Sequence, residues 1–495
     1  MNARFSGICG FRSLLRVALG LFLVFPVLVI IGFAKSWNWP DHTELLESLS
    51  FTMIQAFLSS LFAMILGSVG ALGLICFSQG KLRSVSEVFA LLPSLLPPLF
   101  VILPFLNIAS FFHFEPFGLW GIVSVNVLMN LGLTSVVLAR VIESKLGPMI
   151  ELSWIEGASR WKMLQSGVFS YLRTDLISLS FYLFTLFFAS FSIPLILGSS
   201  EGVTLEVLIY EKIRLSGDWS QAVLLGLLQI FILFFFSFGV RQNFTGKISR
   251  QPNLTGLRAP SLFGIPLFVS LFLVGGQFFG LIRGWGYLLN SPVLLAELPL
   301  LLGGTLIVGI GTGLLVLILL MLVAGLSPHL GLDRFLVGYT APSTVLTGFA
   351  FLLLGVEGWL GIHLSLICGL ALLVVPSLYR MLARGLLVAI QNQVIVARLG
   401  GAGWWAIFDK IVFPQICRQF WWLAGMSSLW ACGDYALSSL VVENNTTLAL
   451  AIKGYMTSYH LDLATALNSI LLVVGMSCLL GFGGLGRVCR TESFS

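Results

Sequence analysis

Two stretches decide how this chain is read: "WIEGASRWKML", residues 154–164, and "RLGGAGWWAIF", residues 398–408. Each is a glycine-turned, partly charged interruption between long apolar runs. They start 244 residues apart in a chain of 495. A segment written twice at half-length spacing points to a duplicated unit.

The surrounding composition sets the class. The chain is 57% hydrophobic and 10% charged, where a soluble globular domain carries about 25% charged residues. Crossing about 30 Å of hydrocarbon takes an apolar run of about 20 residues. Twelve runs qualify, near 17–34, 51–77, 88–111, 117–139, 176–198, 221–240, 263–282, 298–325, 336–356, 360–379, 421–442 and 463–486. With the N-terminus placed in the cytoplasm, 22 of the 27 Lys and Arg residues fall on cytoplasmic segments, as the positive-inside rule asks. Only Lys35, Lys212, Arg214, Arg283 and Lys453 stay outside. Both termini are then cytoplasmic. The net charge of +6 reports topology, and no clustered basic face suggests nucleic acid as a partner. The first apolar run is longer than the 7–15 residues of a signal-peptide core, so it reads as an uncleaved span. The seven cysteines form no CxxC pair and read as small packing residues.

Other landmarks keep this spacing to within one residue. Leu138-Ala139-Arg140 recurs as Leu382-Ala383-Arg384, Gly157 as Gly401, and Thr204-Leu205 as Thr447-Leu448. The polar, basic stretch 241–260, "RQNFTGKISRQPNLTGLRAP", reads as the connector between halves. The expected organisation is a first span and outer loop over 1–48 and a first membrane unit over 49–241. A linker, seventh span and outer loop occupy 242–293, a second unit 294–487, and a cytoplasmic tail 488–495. Six spans per half make parallel repeats about an axis along the membrane normal, with a pathway between them.

The interruptions themselves look helical. Trp161, Leu164 and Val168 fall at i, i+3 and i+7; Trp404, Phe408 and Ile411 make a second stripe, flanked by Trp405 and Val412. Both are short amphipathic helices, each following a helical stretch that ends at a glycine suited to a tight corner. An interfacial helix lying on lipid headgroups is the plainer reading of one such loop; two at equivalent positions favour docking of a cytoplasmic partner.

These loops resemble the EAA loop of permease subunits of bacterial binding-protein-dependent ABC importers, which reads Glu-Ala-Ala, three residues, Gly, nine residues, Ile, one residue, Leu-Pro. The first copy matches at Glu151 and Gly157, followed by Ala158 and Ser159; Gly167, Phe169 and Ser170 replace Ile, Leu and Pro. The second matches at Gly401, Ile411 and Pro414, with Ala402 after the glycine and Phe413 for Leu; Ile395 replaces the Glu. The segment "FSIPLILGSSEGVTLEVLIYEKI" is similar to the last spans of fused permeases for ferric iron and thiamine. The resemblance implies an all-α integral membrane protein of the type I importer (MetI-like) fold, with about twelve transmembrane helices in two tandem six-helix halves. It implies a bacterial inner-membrane location, two copies of a separate ATPase docked on the loops, and a periplasmic or lipid-anchored solute-binding protein outside. Trp161, Leu164, Trp404, Trp405 and Phe408 would then be the anchors in the ATPase grooves, with Glu151 bracing its corner. No cofactor is expected on this chain, because ATP would be bound by the partner subunits.

The sequence holds no GxxxxGK[ST] phosphate loop. The glycine-rich "GGTLIVGIGTG", residues 303–313, lies within a span and reads as close helix packing. Candidate pathway residues are Asn126 and Asn130 in the fourth span, Ser190 and Ser192 in the fifth, and Asp434 in the eleventh. An intramembrane carboxylate is costly and marks either a pathway or a local partner. Pro93, Pro97, Pro98 and Pro104 crowd the third span, with Pro342 its counterpart, and allow a kinked gate. Two other classes compete. A twelve-span secondary transporter of the major facilitator type shares the six-plus-six plan, but has no reason for structured loops after the fourth and tenth spans. A polytopic membrane enzyme would need a constellation that is not visible.

Overall fold

The computed structural model describes residues 17, 19–22, 24–32, 39–75, 81–157, 169–198, 202–237, 262, 264–326, 343–355, 358–442 and 446–488. The expected linker 241–260, the first corner from Ala158 to Val168, and Pro342 lie outside the described residues.

The first half contains α1 (His42–Ile75), α2 (Lys81–Leu95), α3 (Leu99–Phe112), α4 (Gly118–Ile155), α5 (Phe169–Phe188), α6 (Ser192–Leu197), α7 (Leu205–Arg214) and α8 (Trp219–Ser237). After it come α9 (Gly264–Leu289), α10 (Pro292–Leu326), α11 (Thr344–Leu353) and α12 (Trp359–Leu378), the last running through a π-turn at Tyr379–Ala383 into α13 (Arg384–Leu399). Next, α14 (Trp404–Ile407) runs through a second π-turn, Phe408–Val412, into α15 (Phe413–Cys432). Finally come α16 (Ala436–Val441), α17 (Leu448–Thr457) and α18 (Leu461–Val488).

Among the described residues, seven helices are long and apolar enough to cross a bilayer, and eight if the bent pair α2–α3 counts as one. The other expected spans are not single rods. The run 176–198 is divided between α5 and α6, and 421–442 between α15 and α16. The run 336–356 is represented by the ten-residue α11, and 17–34 by helical turns through 24–32. Boundaries also move: α4 continues to Ile155, where apolarity ends near 139, and α5 and α15 begin at Phe169 and Phe413 rather than 176 and 421. Apolar character stops where hydrocarbon stops, but backbone hydrogen bonding can carry a helix on into water.

The repeat is physical. In the first half the Thr52 hydroxyl donates to the Ser48 carbonyl at 2.7 Å and accepts from the Leu205 N–H at 2.8 Å. In the second, Thr305 donates to Leu301 at 2.8 Å and accepts from Leu448 at 2.9 Å. Each threonine satisfies an orphan N–H at the start of the short outer helix, α7 or α17. The halves interlock at their leading helices. Phe25 packs on Phe351 of α11, ring centroids 5.8 Å apart, while α9 packs against α2 and α3 of the first half. Gln277 of α9 binds Ser469 at 2.9 Å and accepts from Asn468 at 3.0 Å, fixing α9 on α18.

Charge pairs respect the sidedness read from the sequence. Buried Arg83 binds Glu143 at 2.5 Å and Glu87 at 3.1 Å, and Arg140 reaches Glu87 at 3.0 Å. Lys145 meets Asp175 at 2.5 Å. On the opposite side Lys212 meets Glu44 at 2.8 Å. The pairing of Arg83 and Arg140 with Glu87 and Glu143 braces α2 against α4.

Candidate functional site

A helix of 38 residues is about 57 Å long at 1.5 Å per residue, against about 30 Å of hydrocarbon. Helix α4 therefore projects well beyond the bilayer, and the continuous α12–α13 does the same in the second half. Each ends in a glycine corner with left-handed backbone: Gly157 at φ +77° and Gly401 at φ +79°. A Cβ at either would meet open space, so the glycines are required by backbone conformation rather than crowding. At the second corner the Gly401 N–H donates to the Arg398 carbonyl at 2.9 Å and the Ala402 N–H to Ala397 at 3.0 Å, closing a Schellman-type helix end.

The aromatic residues of this corner divide. Trp404 turns inward: its Nε1 donates to the Gly325 carbonyl at 2.9 Å, satisfying the C-terminal end of α10, and its ring stacks on Phe408 at 5.6 Å. Trp405 remains 66% exposed over an open groove shared with Ala406, Phe408, Asp409 and Phe413. The expected stripe Trp404, Phe408, Ile411 is displaced because the π-turn inserts an extra residue into the turn. Ile407 and Val412 become the buried pair instead. Pro414 sits in the first turn of α15, where a missing N–H costs nothing. Ile395, where the family pattern has Glu, is exposed. A brace exists nearby: Gln415 Nε2 donates to Gln393 Oε1 at 2.5 Å, tying α15 to α13. In the first corner, Glu151 lies on α4, but its side chain is outside the described residues, as are Ala158, Ser159, Trp161 and Leu164.

A second region lies between the halves, where three helix breaks converge. Pro97 and Pro98 bend α2–α3 by 88°. Residues 189–191 separate α5 from α6, and Gly433–Tyr435 separate α15 from α16. Trp430 Nε1 donates to the Leu95 carbonyl freed by the first break, at 2.6 Å. The Tyr435 hydroxyl donates to the Ser192 carbonyl, joining equivalent breaks of the two halves. A Cβ on Gly433 would sit 2.4 Å from the Pro97 ring, so this close approach requires glycine.

The sequence-derived pathway residues distribute around this centre. Ser190 and Ser192 lie at the α5–α6 break, half-buried. Asp434 lies at the α15–α16 break, where its Oδ2 accepts from the Leu437 N–H at 3.0 Å and caps α16. Asn126 is directed into the first half: its Nδ2 donates to Gln55 at 3.2 Å and Ser59 at 3.3 Å. Gln55 in turn donates to the Phe187 carbonyl at 2.9 Å, beside the α5 break. Asn130 donates to the Asn126 carbonyl at 3.1 Å on its own helix. Sequence reasoning missed Trp430, Tyr435 and Gln55. Only the Gly-Asp dipeptide 433–434 hinted at a break.

Residues 333–485 match the family described as binding-protein-dependent transport system inner membrane component. Over 118 residues the chain is 31% identical to the thiamine transport system permease protein ThiP of Escherichia coli (strain K12), and 30% identical to its namesake from Salmonella typhimurium. Each aligned stretch covers 24% of this chain and about a fifth, 22%, of the relative. No solved structure matches. The second glycine corner, the α15–α16 break and α18 as far as residue 485 fall inside the matched residues, so this stretch of the chain is similar to the inner membrane component of binding-protein-dependent transport systems.

Proposed function

We propose that the chain is the permease subunit of a binding-protein-dependent ABC importer with both transmembrane halves in one polypeptide. The observation that carries the reading is the glycine corner built twice, at Gly157 and Gly401, each at the tip of a helix that outreaches the bilayer. A corner of this kind gives a cytoplasmic ATPase something rigid to push. Two corners call for two ATPase copies, and ATP is bound there rather than on this chain. Displacement of a corner travels along α4 or α12–α13 to the converging breaks, where short helices can separate without disrupting long ones. The pathway then opens at Ser190, Ser192, Asp434 and Tyr435, with Asn126 and Asn130 behind it. A periplasmic or lipid-anchored solute-binding protein delivers cargo to the outer side of an inner-membrane protein whose termini face the cytoplasm. The matched relatives are thiamine permeases, so thiamine leads as cargo, with ferric iron the second candidate. A major facilitator mechanism gives the duplicated corners no role.

The test uses the full chain co-expressed with its ATPase. A cysteine at Trp405 should cross-link to an ATPase groove residue, and Gly157→Val with Gly401→Val should abolish ATP-driven uptake while the chain still inserts. Uptake driven by a proton or sodium gradient in the isolated chain would overturn the proposal.

A further inference from the structure

At the outer end of the molecule, away from the converging breaks, a cavity of about 320 Å3 lies between α3, α9 and the start of α18. Asn107, Arg283, Tyr287, Tyr459, His460 and Asp462 contribute to its lining. Its floor is tightly built. A Cβ on Gly280 would lie 2.3 Å from the Asn107 amide, and one on Gly284 2.0 Å from the Asp462 carbonyl. Asn107, 6% exposed, donates to Thr465 at 3.0 Å. Such contacts fix the backbones that present Arg283 and Asp462.

Arg283 and Asp462 share the cavity, yet among the described residues no ion pair joins them and neither has another partner of opposite charge. The Arg283 guanidinium lies 5.6 Å from the Phe279 ring centroid. Depth is given by α9, whose outward face exposes Phe278, Ile282 and Leu289 as a lipid-facing surface, with Trp285 and Tyr287 beside Arg283. Trp and Tyr mark the headgroup level of a bilayer. The cavity therefore opens beside lipid headgroups and offers them one positive and one negative group.

Tyr459 adds an independent sign. The turn before α18 repeats the turn before α8, and both use left-handed backbone: Gly217 at φ +69° and Tyr459 at φ +61°. Glycine adopts this conformation without strain; tyrosine does not. The strained residue is 86% exposed and lies against the cavity. Strain of this kind persists where a side chain is needed in place.

We propose that this cavity binds the headgroup of a zwitterionic phospholipid of the phosphoethanolamine class. The phosphate diester is held by Arg283 and His460. The ammonium is held by Asp462 and the face of Tyr459, through charge-assisted hydrogen bonding and cation–π attraction. An anionic headgroup leaves Asp462 facing a phosphate without compensation. A choline headgroup has no N–H to donate to it.

The full chain, reconstituted in vesicles of equal parts phosphatidylethanolamine, phosphatidylglycerol and phosphatidylcholine, would be released into native mass spectrometry to count retained lipids. Phosphatidylethanolamine should dominate. Arg283→Gln and Asp462→Asn should each lower its retention about tenfold, the loss of one charge-assisted hydrogen bond, with melting temperature unchanged. Tyr459→Gly, which relieves strain and so keeps the fold, should lower retention by a smaller factor. Equal retention of phosphatidylglycerol by the wild-type chain, or undiminished retention in Arg283→Gln or Asp462→Asn, would overturn the assignment. So would displacement of the lipid by an equal concentration of soluble glycerophosphoethanolamine, which would assign the site to a free zwitterion. No ATPase or receptor enters the measurement, so its outcome is independent of the importer reading.

Discussion

The two halves share a plan but hold their cores together differently. In the first, α1 meets α4 through side-chain hydrogen bonds: Gln55 and Ser59 accept from Asn126, and Gln55 also donates to the Phe187 carbonyl. A second polar contact joins buried Glu206 of α7 to Gln229 of α8 at 2.6 Å. In the second half, the threonine equivalence of 52 and 305 sets Val308 opposite Gln55 and Ala449 opposite Glu206. There α10 presents Gly304, Gly309, Gly311 and Gly313 instead, and a Cβ at any of them would lie within 2.8 Å of a neighbouring atom. Lipid tails are as apolar as leucine, so no hydrophobic drive separates helix from lipid inside a bilayer. Association then rests on hydrogen bonds or on close packing of small residues. The first half uses both, since a Cβ at Gly67 or Gly70 of α1 would lie 2.5 or 2.4 Å from α4, while α10 of the second half relies mainly on close packing.

That contrast can be broken. The largest effect is expected at Gly304→Val, whose new side chain meets the Thr446 backbone carbonyl at 2.1 Å from Cβ; overpacking against backbone should cost about 3 kcal/mol or more. Gly303→Val has open space and serves as the near-silent control. Thermal unfolding in detergent compares them, and equal loss in both would end the close-packing account. Next, Gln55→Leu should cost about 1–2 kcal/mol, because it leaves the Asn126 amide short of a partner. The reciprocal Val308→Gln should cost a similar amount by burying an amide among apolar neighbours. If Val308→Gln is harmless, the halves are more alike than their contacts indicate.

The threonine pair sharpens the symmetry. Thr52→Val and Thr305→Val should each cost about 1 kcal/mol, the usual worth of a helix cap, and melting of the two single variants should agree closely. A clear inequality would show that the shared hydrogen bond is not energetically equivalent. The smallest effect is at the left-handed turns. Tyr459→Gly should stabilise by just under about 1 kcal/mol, and Gly217→Tyr should destabilise by a like amount, read from the same melting curves.

Much of the plan was legible from residue order. Apolar run length exposed most spans, and Lys and Arg placement separated Arg83, Arg140 and Lys145 from Lys212, which the fold pairs at two different ends. The identical offset of Gly157 and Gly401 foretold two corners with the same backbone conformation. Helix breaks were harder to read. The run 421–442 is apolar apart from its serines and Asp434, and only the Gly433-Asp434 dipeptide hints that residues 433–435 stop being helical. Trp404 and Trp405 both read as anchors from residue order, which does not show that Trp404 turns onto Gly325 while Trp405 stays exposed.

Sequence alone determined the membrane class, the duplication and the corner glycines, because these depend on composition and on local backbone preference. Tertiary structure alone decided which polar residues face which neighbour. It turned Trp404 onto Gly325, made Asp434 a helix cap, directed Asn126 toward Gln55, and brought Tyr435 to Ser192. The reason is physical: a helix apolar on every side carries no amphipathic signal, since lipid and protein interior look alike to its side chains. Its rotation is set only by the hydrogen bonds and glycine clefts of the helices it meets.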